Sequence, residues 1–268
     1  MAASKVCSKA GAVARPLLQI EGLTKRFGGV TPADSISLDI PAGEFHAVIG
    51  PNGAGKTTLI SLLAGELACQ SGTIWFDGRN VTALPVYRRS QLGLARSFQI
   101  TSLFRDFTAL DNVALAVQAH RGHSFRFWRD ARGERELRKP ALAALDRVGL
   151  VDRADARVEK LSHGELRQLE IAMALATEPR LLLLDEPMAG MGPDESARMV
   201  AMLRELKGGV TILLIEHDME AVFALADRMT VLVYGCIIAS GKPEAIRADP
   251  AVRQAYLGEK DADKRRAS

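Results

Sequence analysis

A stretch at residues 50–58 has the composition and spacing of a loop that holds phosphate groups. It reads GPNGAGKTT and fully fits the pattern GxxxxGK followed by Ser or Thr. Glycines let the backbone wrap around phosphate oxygens, Lys56 supplies a positive charge, and the Thr57 hydroxyl is suited to Mg²⁺. A glycine-rich turn with a chance lysine is the alternative. The pattern predicts nine nucleotide-binding residues: Gly50, Pro51, Asn52, Gly53, Ala54, Gly55, Lys56, Thr57 and Thr58.

Two acidic residues end a run of four leucines further along the chain. Leucines occupy positions 181–184, and Asp185 and Glu186 follow them directly. In open α/β folds, phosphate ligands bind at the edge where such strands end. Asp185 is suited there to hold Mg²⁺, and Glu186 to polarise a water that attacks the γ-phosphate. A solvated strand end is the alternative, but two acids in a chain with a complete phosphate loop favour catalysis.

The elements that must position these residues alternate between strands and helices. Apolar segments predict strands at 18–23, 35–40, 44–49, 73–77, 180–185, 211–216 and 229–234. Helices are predicted at 57–65, 165–176, 194–206 and 219–227. Continuous apolar strands between helices indicate a parallel sheet covered on both faces. Residues 88–177 look predominantly helical, and we interpret them as an insertion into this α/β body.

Composition excludes several classes of protein. Of 268 residues, 47% are hydrophobic and 25% charged, which is not the composition of a mainly disordered chain. The net charge of +3 comes from three basic residues in the first sixteen, so the remaining body is formally neutral and gives weak support for nucleic-acid binding. The three cysteines, Cys7, Cys69 and Cys236, fit neither a disulfide framework nor a metal site.

The two ends of the chain differ from the body. Residues 1–16 are small and basic without the apolar centre of a signal peptide, so we expect a disordered leader, with a cleaved targeting segment as the alternative. The run of charged residues at 259–268 predicts a solvated tail. No apolar run approaches the roughly 18–20 residues of a membrane-spanning helix.

Further motifs follow these in order and resemble the ATP-binding subunit of an ABC transporter. The sequence LSHGE at 161–165 resembles the ABC signature, Gln99 falls at the Q-loop, His217 at the switch histidine, and Phe27 at the aromatic A-loop position. The match covers about residues 17–258. It implies an α/β P-loop NTPase cassette, with a mainly parallel core sheet, an N-terminal antiparallel β portion and a helical subdomain inserted at about 90–177.

The resemblance also implies a role for each motif. Phe27 stacks on adenine, Gln99 joins Thr57 and Asp185 at Mg²⁺, and Glu186 and His217 are catalytic. Phe27 as a core aromatic and His217 as a structural histidine are the alternatives. The signature residues act on ATP held by a second ATPase subunit: Leu161, Ser162, His163, Gly164 and Glu165.

The signature sequence has a second interpretation and two departures from the family pattern. Ser162 and Glu165 form the pattern S-x-x-E, a capping box at the start of a helix, which is compatible with the signature role. His163 stands where the resembling family often has an aromatic residue, and Glu165 where ABC proteins generally have Gln. The glycine-containing segment 189–193 departs from the pattern that ABC proteins generally have after the acidic pair Asp185–Glu186.

Within that family, the chain looks like the larger ATPase of branched-chain (hydrophobic) amino acid uptake systems. The resemblance rests on segments such as LGLARSFQITSLF, IEHDM and IRADPAVRQAYLGE. It implies a bacterial importer with two permease subunits, two ATPases and a periplasmic solute-binding protein, and a peripheral position on the cytoplasmic face of the inner membrane. Urea, amides or small organic acids are alternative solutes.

Two other classes of ABC ATPase remain as alternatives. A DNA-maintenance ATPase usually needs a long coiled coil between Lys56 and the signature, and this chain has no sustained heptads there. A translation factor normally needs two cassettes and a basic surface that faces RNA. We therefore expect no nucleic-acid partner.

One basic and aromatic stretch, residues 120–140, stands out from the neutral body. It holds seven basic and three acidic residues together with Phe125, Phe127 and Trp128. The hypothesis is that it lies near permease loops and anionic headgroups, and a solvated helix with a few packing aromatics is the alternative.

Overall fold

The computed structural model describes residues 15–97, 103–121 and 135–255. The predictions for Gln99, for residues 1–14 of the leader, for most of the stretch 120–140 and for the tail at 259–268 lie outside these residues. The domain limits 17–258 and about 90–177 stay predictions.

The described residues form ten strands and eight labelled α-helices, and residues 250–255 are helical as well. The strands are β1 (Leu18–Phe27), β2 (Val30–Ile40), β3 (Phe45–Ile49), β4 (Ser71–Phe76), β5 (Arg79–Asn80), β6 (Leu94–Arg96), β7 (Leu181–Asp185), β8 (Thr211–Ile215), β9 (Arg228–Val233) and β10 (Cys236–Gly241). The helices are α1 (Lys56–Ala64), α2 (Val86–Gln91), α3 (Ala109–Arg121), α4 (Arg135–Arg147), α5 (His163–Leu175), α6 (Pro193–Leu206), α7 (Met219–Leu225) and α8 (Pro243–Ala248). None of the helices in the described ranges has the length and hydropathy of a membrane-spanning segment.

The strands divide into two sheets. An antiparallel sheet has the order β2-β1-β4-β5, and a six-stranded sheet has the order β10-β9-β3-β8-β7-β6. In the larger sheet all neighbours are parallel except β9 and β10. The predicted α/β fold with a mainly parallel core sheet and an N-terminal antiparallel portion is therefore confirmed.

The register of the parallel strands brings three chain segments to one edge of the sheet. Ile215 of β8 pairs with Val48 of β3 on one side and with Asp185 of β7 on the other. Because parallel strands end at the same edge, the chain leaves β3, β7 and β8 at neighbouring positions. The phosphate loop, the Asp185–Glu186 pair and His217 follow these three strands.

Alternate side chains of the central strands pack into different cores. Leu181 and Leu183 of β7 belong to the cluster that contains the apolar side chains of α1, whereas Leu182 and Leu184 belong to the cluster built from α3, α4, α5 and α6. All four leucines are completely buried. Successive side chains of a strand point to opposite faces of the sheet. A strand that is covered on both faces is therefore a continuous apolar run.

Three strands, β5, β6 and β10, fall where the sequence predicted none, and β5 has only two residues. β6 spans only three residues and lies inside the segment predicted to be predominantly helical, yet it pairs with β7 at the edge of the parallel sheet. β10 alternates exposed and half-buried residues and contains Ser240 and Gly241. None of the three has the dense apolar run that identified the other strands, and each forms because a neighbouring strand offers its backbone groups.

A buried arginine fixes the end of α1. The Arg89 guanidinium is almost completely buried and donates hydrogen bonds to the carbonyl oxygens of Leu62 and Leu63 at 2.7 Å each, of Leu84 at 2.9 Å and of Thr82 at 2.9 Å. Burial lowers the pKa of Arg89 from its ordinary value. The carbonyl ends of a helix attract a positive charge, so this side chain joins α1 to the chain that precedes β6.

Candidate functional site

The phosphate loop joins β3 to α1 in a conformation that only glycine tolerates at its key points. Gly55 has φ of +104°, and a side chain there would collide with the backbone carbonyl of Pro32. A side chain at Gly50 would collide with the carbonyl of Leu232. Gly55 is also the N-cap of α1 and has no side chain to cap it. Phosphate oxygens are therefore natural acceptors for the first N–H groups of this helix.

Lys56 lies across the loop that precedes it. Its ammonium donates hydrogen bonds to the carbonyl oxygens of Gly50 at 2.7 Å and Pro51 at 2.9 Å, and the residue is 7% exposed. Together with Phe27, Thr57 and Glu186, it lines an open cavity of about 390 Å³. The site therefore holds a buried positive charge beside a cavity large enough for part of a nucleotide.

Phe27 lies at the end of β1 and at the rim of this cavity. It is 49% exposed, and the Lys25 ammonium lies 5.1 Å from the centre of its ring. An exposed ring at this position presents a flat apolar surface of the kind on which a purine base stacks.

Asp185 is paired with an arginine that the sequence interpretation overlooked. Arg96, the last residue of β6, donates a 3.0 Å hydrogen bond to the Asp185 carboxylate, contacts the Glu66 carboxylate and reaches the Ser61 hydroxyl at 3.2 Å. Burial raises the pKa of Asp185 above its ordinary value, although the Arg96 guanidinium opposes that shift. Because β6 was not predicted, no sequence pattern indicated that Arg96 is a neighbour of Asp185.

The oxygen atoms around Asp185 suit a hard cation. Thr57, Asp185 and Glu186 line a cavity of about 230 Å³, which Arg96 and Arg167 also border. Hydroxyl and carboxylate oxygens are the ligands that Mg²⁺ prefers, and it commonly takes few of them from the protein. Across the described ranges, no group of three or more His, Cys, Asp or Glu is arranged to hold a metal by itself.

Glu186 and His217 face each other where β7 and β8 end. Glu186 has a positive φ of +48°, and its N–H donates a 2.9 Å hydrogen bond to the carbonyl of Ile215. Its carboxylate lies 4.0 Å from Nδ1 of His217, and the side chains are 39% and 63% exposed. Non-glycine residues with positive φ are uncommon and cluster at functional sites. The turn directs both groups into solvent beside the phosphate loop.

A second overlooked residue, the acid Glu216, lies beside this pair. Glu216 is completely buried, and its carboxylate accepts hydrogen bonds from the N–H groups of Met188 and His217, each at 3.0 Å. Burial raises the pKa of Glu216, against hydrogen bonds from Met188, His217 and Asp218. The sequence signal that could have identified Glu216 is a charged residue directly after an apolar strand.

The signature residues begin α5. Ser162 is the N-cap: its hydroxyl accepts a 3.2 Å hydrogen bond from the Glu165 N–H, and the Glu165 carboxylate accepts one of 2.8 Å from the Ser162 N–H. The predicted capping box is thus confirmed. The same Glu165 carboxylate is paired with Arg153 at 2.9 Å. Leu161 is buried, and a side chain added at Gly164 would lie 3.1 Å from the Glu195 carboxylate.

Two of the three departures from the family pattern, His163 and the segment 189–193, are in contact. His163 Nε2 lies 3.3 Å from the carbonyl oxygen of Ala189, and Gly190 adjoins it with φ of +78°. The start of α5 and the segment after Glu186 are therefore in contact within one chain. The signature residues Ser162, Gly164 and Glu165 line a separate cavity of about 280 Å³.

The predicted site residues thus fall into two groups. Phe27, the phosphate loop, Asp185, Glu186 and His217 gather at the end of the parallel sheet. The signature residues lie at the start of α5 on a different cavity. Gln99 lies outside the described residues.

Two family models match the sequence. The one described as ABC transporter covers residues 33–189, and the one described as branched-chain amino acid ATP-binding cassette transporter covers residues 236–262.

Several curated proteins are similar over most of their length. The high-affinity branched-chain amino acid transport ATP-binding protein BraF of Pseudomonas aeruginosa is 39% identical over 254 residues, which are 92% of this chain and 100% of the relative. The high-affinity branched-chain amino acid transport ATP-binding protein LivG of Escherichia coli K12 is 37% identical over 259 residues, which cover 92% of this chain and 100% of the relative. The probable LivG of Archaeoglobus fulgidus is 34% identical, with 92% and 97% covered.

Solved structures share the fold. The ADP conformation of MJ1267, an ATP-binding cassette of an ABC transporter, aligns with a TM-score of 0.80 and 29% identity over 90% of this chain and 98% of that one. The dimeric post-hydrolysis structure of the cassette MJ0796 aligns with a TM-score of 0.71 at 24% identity over 84% and 98%, and that likeness concerns the fold alone. With the matched model over residues 33–189 and these relatives, the chain belongs to the family of ABC transporter ATP-binding proteins and is an ATPase of that family.

Proposed function

We propose that this chain is the ATP-hydrolysing motor subunit of an importer for branched-chain amino acids or related small solutes. The relatives from Pseudomonas aeruginosa and Escherichia coli are named for that transport, and the match at 236–262 has the same description. The structural observation that carries the proposal is the meeting of Lys56, Glu186 and His217 where three parallel strands end.

The geometry supports a division of labour among these residues. Lys56 and the N–H groups of the loop bind the β- and γ-phosphates. Glu186 accepts a proton from the attacking water, and His217, 4.0 Å away, donates a hydrogen bond to the γ-phosphate as charge develops. Phe27 contributes its exposed ring to the adenine.

Mg²⁺ bound with the nucleotide neutralises charge between the β- and γ-phosphates. Thr57 and Asp185 are the described residues that line the same cavity and would hold it, and Gln99 is predicted as a further ligand.

The signature residues support a site shared between two subunits. Ser162 offers a hydroxyl and the start of α5 offers N–H groups, which suit an anion, but they line a different cavity from the phosphate loop of their own chain. We propose that a second ATPase subunit, identical or homologous, brings its ATP to this surface. Two bound ATP molecules then close the pair, and hydrolysis reopens it.

The remaining partners follow from the proposed importer. Two permease subunits receive the motion, and a periplasmic solute-binding protein delivers the solute. The chain itself acts at the cytoplasmic face of a bacterial inner membrane as a peripheral subunit. Neutralising Arg126, Arg129 and Arg132 is then expected to weaken assembly with the permeases, and unchanged assembly and transport would contradict a role for that stretch.

The test of the chemistry is Glu186→Gln in the full chain. The variant should bind ATP with unchanged affinity, hydrolyse it about 10²- to 10⁴-fold more slowly, and accumulate as a dimer with ATP in size-exclusion chromatography. Hydrolysis at the wild-type rate would overturn the role of Glu186.

The test of the solute uses the binding protein whose gene adjoins that of this chain. We expect the purified binding protein to bind leucine, isoleucine or valine in calorimetry, and transport by the assembled complex to require this chain. Binding of urea or an amide instead would reassign the solute but keep the motor role. Co-purification with ribosomes or DNA would contradict the importer.

A further inference from the structure

Glu216 is a buried acid that the proposed reaction does not use. It is 0% exposed and lies between the last residue of β8 and His217. Burying a carboxylate is costly unless it is hydrogen-bonded. Within the described part of the chain, its partners are backbone N–H groups, and the nearest basic side chain is His217, whose Nδ1 lies 3.7 Å away.

The two carboxylate oxygens of Glu216 serve two different loops. Oε1 accepts the N–H of Met188, two residues after Glu186, and Oε2 accepts the N–H of His217. Met188 is itself 5% exposed and packs in the core between sheet and helices. One side chain thus ties the turn that carries Glu186 to the turn that carries His217.

The main chain gives this connection one further link. The Glu186 N–H donates to the carbonyl of Ile215 at 2.9 Å, directly before Glu216. The Glu186 carboxylate and Nδ1 of His217 lie 4.0 Å apart, which is beyond hydrogen-bond distance, and their side chains are 39% and 63% exposed. The relative position of Glu186 and His217 therefore depends on the backbone of the two turns that carry them. The Glu216 carboxylate accepts a hydrogen bond from each of these turns.

We infer that Glu216 is a positioning residue that fixes Glu186 and His217 relative to each other for ATP hydrolysis. This inference rests on the proposed roles of those two residues. Displacing a reacting group by about 1 Å can cost about a hundredfold in rate, so an anchor shared by both turns has a direct effect on turnover without touching ATP.

The sharpest variant is Glu216→Gln, because it keeps the size of the side chain and removes one acceptor. A Gln side chain has one carbonyl oxygen, and its NH₂ group faces the second N–H as donor against donor. It can hold one turn but not both. We expect kcat for ATP to fall about 10- to 100-fold, with nucleotide affinity within about twofold of wild type.

A double-mutant cycle separates positioning from a general loss of structure. If Glu216 acts through His217, then Glu216→Gln should reduce kcat much less in a His217→Ala background than in wild type. If the two losses in kcat simply multiply, the inference is overturned. Should Glu216→Gln fail to fold, the same cycle is run with Glu216→Asp, which keeps both oxygens on a shorter chain, and an expected loss of about tenfold.

The matched control is Glu44→Gln. Glu44 directly precedes β3, where the parallel strands begin, whereas Glu216 lies where they end. The Glu44 carboxylate is 10% exposed, and Oε1 lies 2.7 Å from Nδ1 of the buried His46. This change also removes one carboxylate, so we expect kcat within about twofold of wild type. An equal loss of kcat in Glu44→Gln and Glu216→Gln would contradict a specific role for Glu216.

The outcomes also separate this inference from the proposed function. If Glu186→Gln and His217→Ala hydrolyse ATP slowly while Glu216→Gln hydrolyses it at the wild-type rate, only the inference about Glu216 fails. If Glu186→Gln and His217→Ala hydrolyse ATP at the wild-type rate, the proposed function fails first.

Discussion

The phosphate-binding half of the predicted site (residues 50–58) and its signature half (residues 161–165) are built in different ways. In the first half, Lys56 is 7% exposed, and its loop is fixed by close backbone contacts with Pro32 and Leu232. The signature half is the first turn of α5, held by hydrogen bonds between Ser162 and Glu165. The first is a product of tertiary packing, and the second is a local helix start.

This difference predicts that mutations in the two halves have different effects. Damage to the first half should change the nucleotide affinity of a single chain or the stability of the fold. Damage to the signature half should leave both nearly intact and change only what requires a second subunit. Variants in each half therefore separate effects on a single chain from effects that need two subunits.

Arg89→Met should destabilise the frame of the phosphate loop by about 3–5 kcal/mol, because four carbonyl oxygens, two of them in buried hydrogen bonds, lose the guanidinium as donor. Chemical denaturation of the full chain measures the free energy of unfolding. Arg88→Met changes the exposed neighbour on α2 and should cost less than about 0.5 kcal/mol. Equal stability of the two variants would show that tertiary contacts at the end of α1 matter little.

Lys56→Ala should weaken ATP binding by the single chain about 10- to 100-fold, because a charge-assisted hydrogen bond to phosphate contributes about 1.5–3 kcal/mol. A fluorescent ATP analogue measures the affinity at a protein concentration where the chain is monomeric. Lys242→Ala, an exposed lysine before α8, is the control and should bind normally. Unchanged affinity in Lys56→Ala would remove the phosphate-binding role of the first half.

Glu170→Gln should make the stability of α5 less dependent on pH. Burial raises the pKa of Glu170 to about 7, opposed by Arg167, from an ordinary 4.5. Between these values the folded chain keeps a proton that the unfolded chain has lost, so this group stabilises the fold below pH 4.5, and that contribution is lost as the pH rises through 7. The variant should therefore gain about 2 kcal/mol over wild type at pH 8 and little at pH 5.

Denaturation curves at the two pH values provide the measurement for Glu170→Gln. Glu205→Gln removes an exposed acid from α6 and should show the same difference from wild type at both. A gain in Glu170→Gln that does not change with pH would exclude titration of Glu170 as its cause.

Ser162→Ala should cost only about 1 kcal/mol of stability, the usual worth of an N-cap, and should leave the ATP affinity of the single chain unchanged. Its ATPase activity should nevertheless fall strongly, because the hydroxyl is proposed to contact ATP on the second subunit. Ser162→Thr preserves a capping hydroxyl and serves as the comparison. Full activity in Ser162→Ala would contradict the shared site and reduce the signature half to a helix cap.

The prediction from sequence succeeded where local pattern and burial coincide. The strands predicted at 180–185 and 211–216 are observed at Leu181–Asp185 and Thr211–Ile215, because a strand buried on both faces must be apolar at every position. β6 was missed because three residues carry no period, and its partner β7 lies more than eighty positions further along the chain.

The phosphate loop, the acids after the leucine run and the capping box could be read from local pattern, since each depends on neighbours within a few positions. The pairing of Arg96 with Asp185, the contact of Arg89 with the end of α1 and the link that Glu216 makes between two turns depend on the folded chain. Parallel strands bring their ends together from distant parts of the chain, and the register that aligns Val48, Asp185 and Ile215 is set by packing rather than by local pattern.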